Sequence, residues 1–376
     1  MKFRIESSSM AKPHISGVGY YTKRLTEALG AYEGNDVRAF NFNFLNRQPV
    51  PPIAETAQLH IEKLQFPHRV YQKSQSLGFA PPFDFLLPPV DVTIFPNFAT
   101  WPTMRTKLRG TTIHDLTYLH FPEFMERKNL AHLKRVVAQS VQSSDFILTV
   151  SESVKKEIVD NFAIPASSCL VTHVPPDEAY YHPSAIDVHT KYNIPTEKYI
   201  FFISTLEPRK NIPLLIEAYR LLPANLKAEY SLVIAGGTDW KAASSLKAIR
   251  SAQAAGEKVV QTGYVAQTDA PTLHHKSSLY VTSSTYEGFG MPILEAMAGN
   301  TPVVASDIPV HRETAGEAAL YAPADNADEF SDRMKTVLTS PSTARQLVKK
   351  AHIQLATYSW DKNAKIITNY CKEHLS

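Results

Sequence analysis

Residues 279–298 read L-Y-V-T-S-S-T-Y-E-G-F-G-M-P-I-L-E-A-M-A. The first four are apolar, aromatic or β-branched, the composition of a short strand buried on both faces. Pro292 suits the first turn of a helix, where its missing N–H costs nothing. Residues 293–298 then read as helix. The stretch is therefore strand, glycine loop and helix start, with a carboxylate on each side of the loop, Glu287 and Glu295. The backbone amides of Gly288, Phe289, Gly290 and Met291 stand at the positive end of that helix, the arrangement that binds anions. Gly288 and Gly290 place no Cβ in the way of a ligand. A plain βα turn with a charged helix start shares these features. Glu295 separates the two readings, because a carboxylate in the first helical turn is placed to take two ribose hydroxyls.

The same alternation runs along the chain. Strand candidates are 37–42, 92–95, 110–113 and 146–150 in the first half. In the second they are 199–204, 231–235, 259–262, 279–282, 302–305 and 319–321. Amphipathic helical segments lie between them, among others 19–29, 130–142, 151–161, 213–222 and 293–298. Apolar strands separated by helices indicate parallel sheets built from βαβ units, an α/β architecture of two doubly wound domains. The pattern breaks at V-P-P-D-E-A-Y-Y-H-P, residues 174–183, where three prolines exclude both helix and central strand. A boundary there gives domains 1–175 and 176–357. Ligands of such sheets bind beyond the C-terminal strand ends, so each functional motif is expected just after a strand.

Composition narrows the function classes. The net charge of +3 is too small to suggest nucleic-acid binding. The basic excess sits in residues 1–175, with 19 Lys/Arg against 15 Asp/Glu, while residues 176–376 carry 20 against 21. Two cysteines, Cys169 and Cys371, exclude a disulfide framework and an all-cysteine zinc site. No apolar run is long enough to cross a membrane, and residues 1–10 lack the apolar core of a signal peptide. A reducing cytoplasm is the expected location.

Three more segments follow strands. S-T-L-E-P-R-K-N, from Ser204, places the adjacent cations Arg209 and Lys210 at a strand-to-helix junction. A diphosphate fits there, with Arg as fork and Lys as point charge; a solvated basic turn has the same sequence. S-G-V-G-Y, from Ser16, leads into a helix. Its Gly17 and Gly19 read as a loop whose N–H groups meet phosphate, or as a plain turn. I-H-D-L, from Ile113, puts His114 at a strand end, as a ligand-facing or a structural histidine, with Asp115 as a cap. The segment 124–137 is basic and amphipathic, with Arg127, Lys128, Lys134 and Arg135 beside Phe124, Leu130, Leu133, Val136 and Val137. It suits either peripheral contact with an anionic membrane or a surface helix packed on the core. No D-x-D, P-loop, H-E-x-x-H or G-x-S-x-G motif occurs.

Taken together the motifs resemble the retaining, nucleotide-sugar-dependent glycosyltransferases of the GT-B fold grouped as family 4 (glycosyl transferases group 1), and within it the mannosyltransferase-like branch. The residues that carry the likeness are S-G-V-G-Y-Y-T at Ser16, T-I-H-D-L at Thr112, T-V-S-E-S at Thr149, S-T-L-E-P-R-K-N at Ser204 and V-I-A-G-G at Val233. G-Y-V at Gly263, Y-E-G-F-G-M-P-I-L-E-A-M-A at Tyr286, T-P-V-V-A-S-D at Thr301 and Y-S-W-D-K at Tyr358 complete them. Two positions depart from the family pattern: Thr205 stands where many members have Arg, and Asp177 where Gly is usual.

The resemblance implies roles. Residues 1–175 would bind the acceptor and residues 176–357 the nucleotide-sugar donor, with a helix at about 358–376 crossing back to the first domain. Glu287 would sit by the reacting sugar, with His114 near it, as the catalytic residues. Arg209 and Lys210 would hold the diphosphate, with Gly17, Gly19, Gly288, Phe289, Gly290, Met291 and Pro292 around the phosphates. Glu295 would bind the ribose, and Tyr264 and Val265 would flank the base. The implied reaction moves a hexose, mannose from GDP-mannose, to a glycan or lipid-linked glycan in cell-surface polysaccharide assembly. A UDP- or dTDP-sugar donor is the alternative. Arg209, Lys210 and the helix N-terminus would replace a metal, so no cofactor and no metal is expected. Two rival readings are a nucleotide-sugar epimerase and a non-catalytic sugar-nucleotide-binding protein; the intact Glu287, Glu295, Arg209 and Lys210 oppose the second.

Overall fold

The computed structural model describes residues 1–11, 16–43, 50–67, 70–71, 74, 81–238 and 241–375. The chain divides into two compact units, Met1–Val174 with Ser359–Ser376, and Pro175–Tyr358.

Among the described residues the first unit carries strands β1 (Lys2–Glu6), β2 (Asp36–Phe42), β3 (Leu59–Leu64), β4 (Val90–Phe95), β5 (Thr106–Ile113), β6 (Phe146–Thr149) and β7 (Cys169–Val171). They form one sheet in the order β3-β2-β1-β4-β5-β6-β7, with every pairing parallel. The apolar-run reading misses β1, β3 and β7. K-F-R-I-E and L-H-I-E-K-L alternate with charge and look solvated. Yet Arg4 is fully buried, with its Nε 2.5 Å from Glu62 Oε2 and its Nη2 donating to the Pro88 carbonyl at 2.7 Å. The charges that disguise β1 and β3 neutralise each other inside the sheet. β7 has only three residues.

The second unit carries β8 (Lys198–Ile203), β9 (Tyr230–Ala235), β10 (Val259–Gly263), β11 (Leu279–Thr282), β12 (Val303–Ser306) and β13 (Ala319–Ala322). Their order is β10-β9-β8-β11-β12-β13, again all parallel. Each of these coincides with a sequence candidate; β9, β11 and β12 are buried at every residue, so nearly all of their side chains must be apolar or small. Ile200, Phe202, Leu232, Ile234 and Val281 are buried against Leu215, Tyr219, Ile249 and Phe330 of the flanking helices. Each such side chain contributes about 1.5–3 kcal/mol on burial. In both sheets the strand order reverses beside the first strand, between β1 and β4 and between β8 and β11. Connections leave opposite faces there, and the crevice they leave is where such sheets bind ligands.

Gly236, just past β9, has φ +130°, and a Cβ built on it lies 1.9 Å from the Ser204 carbonyl oxygen. The close approach arises because Ser204 N–H donates to Ala235 O at 3.0 Å and Leu206 N–H to Gly237 O at 2.9 Å, which extends the β8–β9 pairing beyond the strand ends. Gly236→Ala is expected to cost about 3 kcal/mol or more, from the disfavoured φ and the backbone collision together. Urea unfolding measures this; a loss under about 1 kcal/mol would show that the loop relaxes freely.

The helix Arg127–Ser143 spans most of the basic segment. Its Val137 is buried and its Leu130 and Leu133 pack on Ile113, Leu116, Ile147 and Ile158, so this unit's own core covers its apolar face. No helix of the described residues is long and apolar enough to cross a membrane. The helix Trp360–Leu375 belongs to the first unit. Its Asn363 side chain donates to the His173 carbonyl at 2.7 Å, its Thr368 hydroxyl takes a bond from Asn35 at 3.1 Å, and Trp360 lies edge-on to Tyr20. At the family-variant position, Asp177 caps a short turn by accepting from Ala179 N–H at 3.1 Å.

Candidate active site

The chain reversal beside β8 brings two loops together at the C-terminal edge of the second sheet. The first follows β8 and holds a single 3₁₀ turn, Pro208–Lys210, before the helix Ile212–Arg220. The second follows β11 and ends at the helix Met291–Ala298. Bonds to backbone carbonyls zip them: Thr285 N–H donates to Arg209 O at 2.8 Å, and Ser283 Oγ donates to Lys210 O at 2.9 Å. Arg209 and Lys210, 77 residues or more before Glu287, thereby meet it.

Glu287 is the centre of the cluster. Its Oε2 accepts from Arg209 Nη1 at 2.7 Å; its Oε1 accepts from Lys210 Nζ and from Ser284 Oγ, the latter at 2.7 Å. Arg209 also donates to Glu207 at 2.7 Å and to the Tyr286 carbonyl at 3.1 Å. Burial alone pushes the Glu287 carboxyl up, but Lys210 and Arg209 outweigh it and hold the group well below the usual carboxylate range. Burial and the neighbouring Arg209 pull the Lys210 ammonium down, against the attraction of Glu287. A solvated basic turn is thus excluded: Lys210 is 8% exposed.

Gly290 has φ +91° and ends the loop at the helix start, and Pro292 occupies the first turn as the sequence predicts. A Cβ at Gly290 would touch the His311 ring at 3.3 Å. Phe289 is buried edge-on to Tyr358, and its carbonyl accepts from Thr314 Oγ1 at 2.5 Å. Glu295 is the fifth residue of its helix, so it lies in the second turn and not in the first, where the sequence predicts it. On the far side of β8, Tyr264 is 59% exposed just after β10, whereas Val265 is buried, which leaves only its backbone for a ligand.

The remaining predicted residues lie in the first unit. Gly17 and Gly19 do not form a loop; the helix Gly17–Ala31 starts at the first of them. Ser16 caps it, its Oγ accepting from Gly19 N–H at 3.3 Å, so that amide is already engaged. His114 is at the end of β5, as expected, with Nε2 donating to the Pro96 carbonyl at 2.8 Å and its ring edge-on to Tyr21. Burial lowers its pKa despite that bond and nearby Asp115, so the imidazole is neutral and Nδ1 is its acceptor nitrogen.

Sequence reasoning missed Ser284 and His311. Ser284 lies two residues beyond β11, and His311 lies in the helix Pro309–Ala315 that follows β12. His311 Nδ1 lies 3.1 Å from the Ser306 carbonyl, to which it donates. Burial depresses its pKa from 6.5 to about 4. Between those values the unfolded chain binds a proton that the folded chain refuses, so stability falls as pH drops through this window. The expected loss is about 3 kcal/mol between pH 7 and pH 4. Comparing unfolding free energies of the parent and His311→Asn across that range isolates it; equal slopes would mean that His311 takes up its proton in the fold as readily as in the unfolded chain.

Residues 186–354 match the family described as glycosyl transferases group 1. The O-antigen chain mannosyltransferase B of Escherichia coli is 31% identical over 269 residues, which cover 71% of this chain and 70% of that protein. The chain is a group 1 glycosyl transferase. The O-antigen chain mannosyltransferase RfbU of Salmonella typhimurium is 26% identical, over 70% of this glycosyltransferase and 69% of its own length. A sucrose-phosphate synthase from Thermosynechococcus elongatus shares the fold, with a TM-score of 0.72 and 18% identity over 99% of this chain and 98% of that one. The two doubly wound units are those of the GT-B fold, as the motifs imply.

Proposed function

We propose that this glycosyltransferase moves mannose from GDP-mannose, with retention, to a glycan or lipid-linked glycan acceptor in cell-surface polysaccharide assembly. The observation that carries the reading is the convergence of Arg209, Lys210 and Glu287 at the reversal point of the second sheet, beside the start of the helix Met291–Ala298. The mannose and acceptor classes are supported by the likeness to the two O-antigen chain mannosyltransferases. A cytoplasmic site of action suits two free, buried cysteines.

In this reading the diphosphate is the leaving group. As the bond from the anomeric carbon to the phosphate oxygen breaks, negative charge grows on that oxygen, and Arg209, Lys210 and the helix start stabilise it as it grows. Gly288, Phe289, Gly290, Met291 and Pro292 border the phosphates, Glu295 takes the ribose, and Tyr264 with the Val265 backbone flanks the base. In the first unit, Gly17 at its exposed helix start and neutral His114 with its Nδ1 acceptor are candidates for a phosphate and a sugar hydroxyl. The sugar carbon becomes cationic, and the Glu287 carboxylate stabilises it. Three donors hold that carboxylate, which leaves it a poor nucleophile. Attack of the acceptor on the face that the phosphate leaves, with the phosphate oxygen taking the acceptor proton, therefore fits better than a covalent glycosyl-enzyme. The cations serve in place of a metal, and the nucleotide sugar is a substrate, so no cofactor is assigned.

A thermal-shift screen over GDP, UDP, ADP and dTDP sugars tests the donor; ligand at 100 times its Kd adds about 2.7 kcal/mol. GDP-mannose is expected to give the largest shift. Release of GDP should be slow alone, accelerate with acceptor, and continue in EDTA. A larger shift with a UDP sugar overturns the donor, an altered free sugar without acceptor indicates an epimerase, and loss in EDTA restored by Mn²⁺ or Mg²⁺ removes metal independence.

A further inference from the structure

His274 is fully buried in the helix Ala270–Lys276, and neither of its ring nitrogens has a hydrogen-bond partner. Three aromatic rings enclose it: Phe201, Tyr280 and Tyr180, with centroids 5.0, 5.2 and 5.6 Å away. Its backbone is fixed. Thr301 Oγ1 and Ser277 Oγ both donate to the His274 carbonyl, at 2.5 and 2.7 Å, and Tyr199 OH donates to the preceding carbonyl at 2.7 Å. A ring held this firmly in an apolar cage would ordinarily be phenylalanine, since two unmet nitrogens weaken the fold. Its Nε2 lies 3.6 Å from Glu295 Oε2. That is just beyond a hydrogen bond.

We propose that His274 is a positioning residue for Glu295. With a nucleotide bound, Nε2–H donates to Oε2 and fixes the plane of the carboxylate, whose remaining lone pairs then accept the two hydroxyls of the ribose. Without a diol the carboxylate has no reason to adopt that pose, and the bond stays open. This rests on the reading of Glu295 as the ribose ligand given above. His274 acts only through Glu295, so its contribution exists only for ligands that carry the diol.

The test uses the full-length protein and two probes, GDP and its 2′,3′-dideoxy analogue (or the corresponding pair for the base selected by the donor screen). Titration calorimetry is run on the parent, Glu295→Gln, His274→Phe, His274→Gln and the Glu295→Gln/His274→Phe double variant. His274→Phe is expected to weaken GDP about tenfold, the value of one hydrogen bond to a charged group, and to leave the dideoxy probe unchanged. Its melting temperature should equal or exceed the parent's. His274→Gln, which restores a donor near Nε2, should recover most of the affinity, and His274→Phe should add nothing to Glu295→Gln. KM for the donor should rise with little change in kcat. Equal weakening of both probes, with a lower melting temperature, would show a merely structural histidine and overturn the proposal. So would unchanged GDP affinity in His274→Phe while Glu295→Gln still separates the probes. If Glu295→Gln fails to separate them, the ribose reading falls, and this proposal falls with it.

Discussion

Glu287→Gln is expected to transfer sugar at least about a hundredfold more slowly than the parent, the usual cost of removing one preorganised charge from a transition state. The amide is isosteric but neutral. It cannot stabilise a cationic sugar, and it cannot accept from Lys210, Ser284 and Arg209 together as the carboxylate does. The same change leaves buried Lys210 without its carboxylate partner and Arg209 with Glu207 alone, so a fall of about 3 kcal/mol in stability should accompany it. Rates must therefore be taken well below the variant's melting temperature, with folding checked by circular dichroism. Parent-like turnover in folded Glu287→Gln would remove this carboxylate from the mechanism.

The second large effect concerns the cations. Lys210→Ala is expected to lower kcat by about a hundredfold and to weaken the nucleoside diphosphate product as well, because the leaving group carries more charge in the transition state than in the bound donor. Arg209→Ala should act in the same direction. The effects will not add, since the two cations share one carboxylate, Lys210 on Oε1 and Arg209 on Oε2. Removing Lys210 leaves Ser284 as the partner of Oε1, so part of the loss runs through Glu287, and Lys210→Ala should cost less in a Glu287→Gln background. Measuring kcat, KM and diphosphate affinity for the singles and doubles resolves these terms. Changes within about 0.5 kcal/mol throughout would place the anion site elsewhere.

The contrast between the two sheets shows what can be read from apolar runs. The inner strands β8, β9, β11 and β12 are legible because their central residues are buried on both faces and need no charge. β1 and β3 are illegible because Arg4 and Glu62 satisfy each other, and a pairing between residues 58 positions apart leaves no local trace. The site divides in the same way. Arg209, Lys210, Gly290, Pro292 and Glu287 stand out in the sequence because each follows a strand in a recognisable motif. The contact of both cations with one carboxylate comes from the strand order, which no spacing reveals. Gly17 and Gly19 mislead for a local reason: a serine before two glycines reads equally as a phosphate loop and as the capped helix start that it is. His274 is missed because it looks like an ordinary helix residue and gains meaning only beside Glu295.

The helix Trp360–Leu375 gives the first unit an unusual timetable. On the ribosome, residues 1–174 emerge first, yet the surface that receives Trp360, Asn363 and Thr368 stays bare until the whole second unit has been made. The part translated first is thus the last to be finished. In the interval the nascent chain shows water the apolar faces of Tyr20 and Tyr21 that the Trp360 ring later covers. Deleting residues 360–375 would leave the second unit's residues untouched and strip the first of a structural wall.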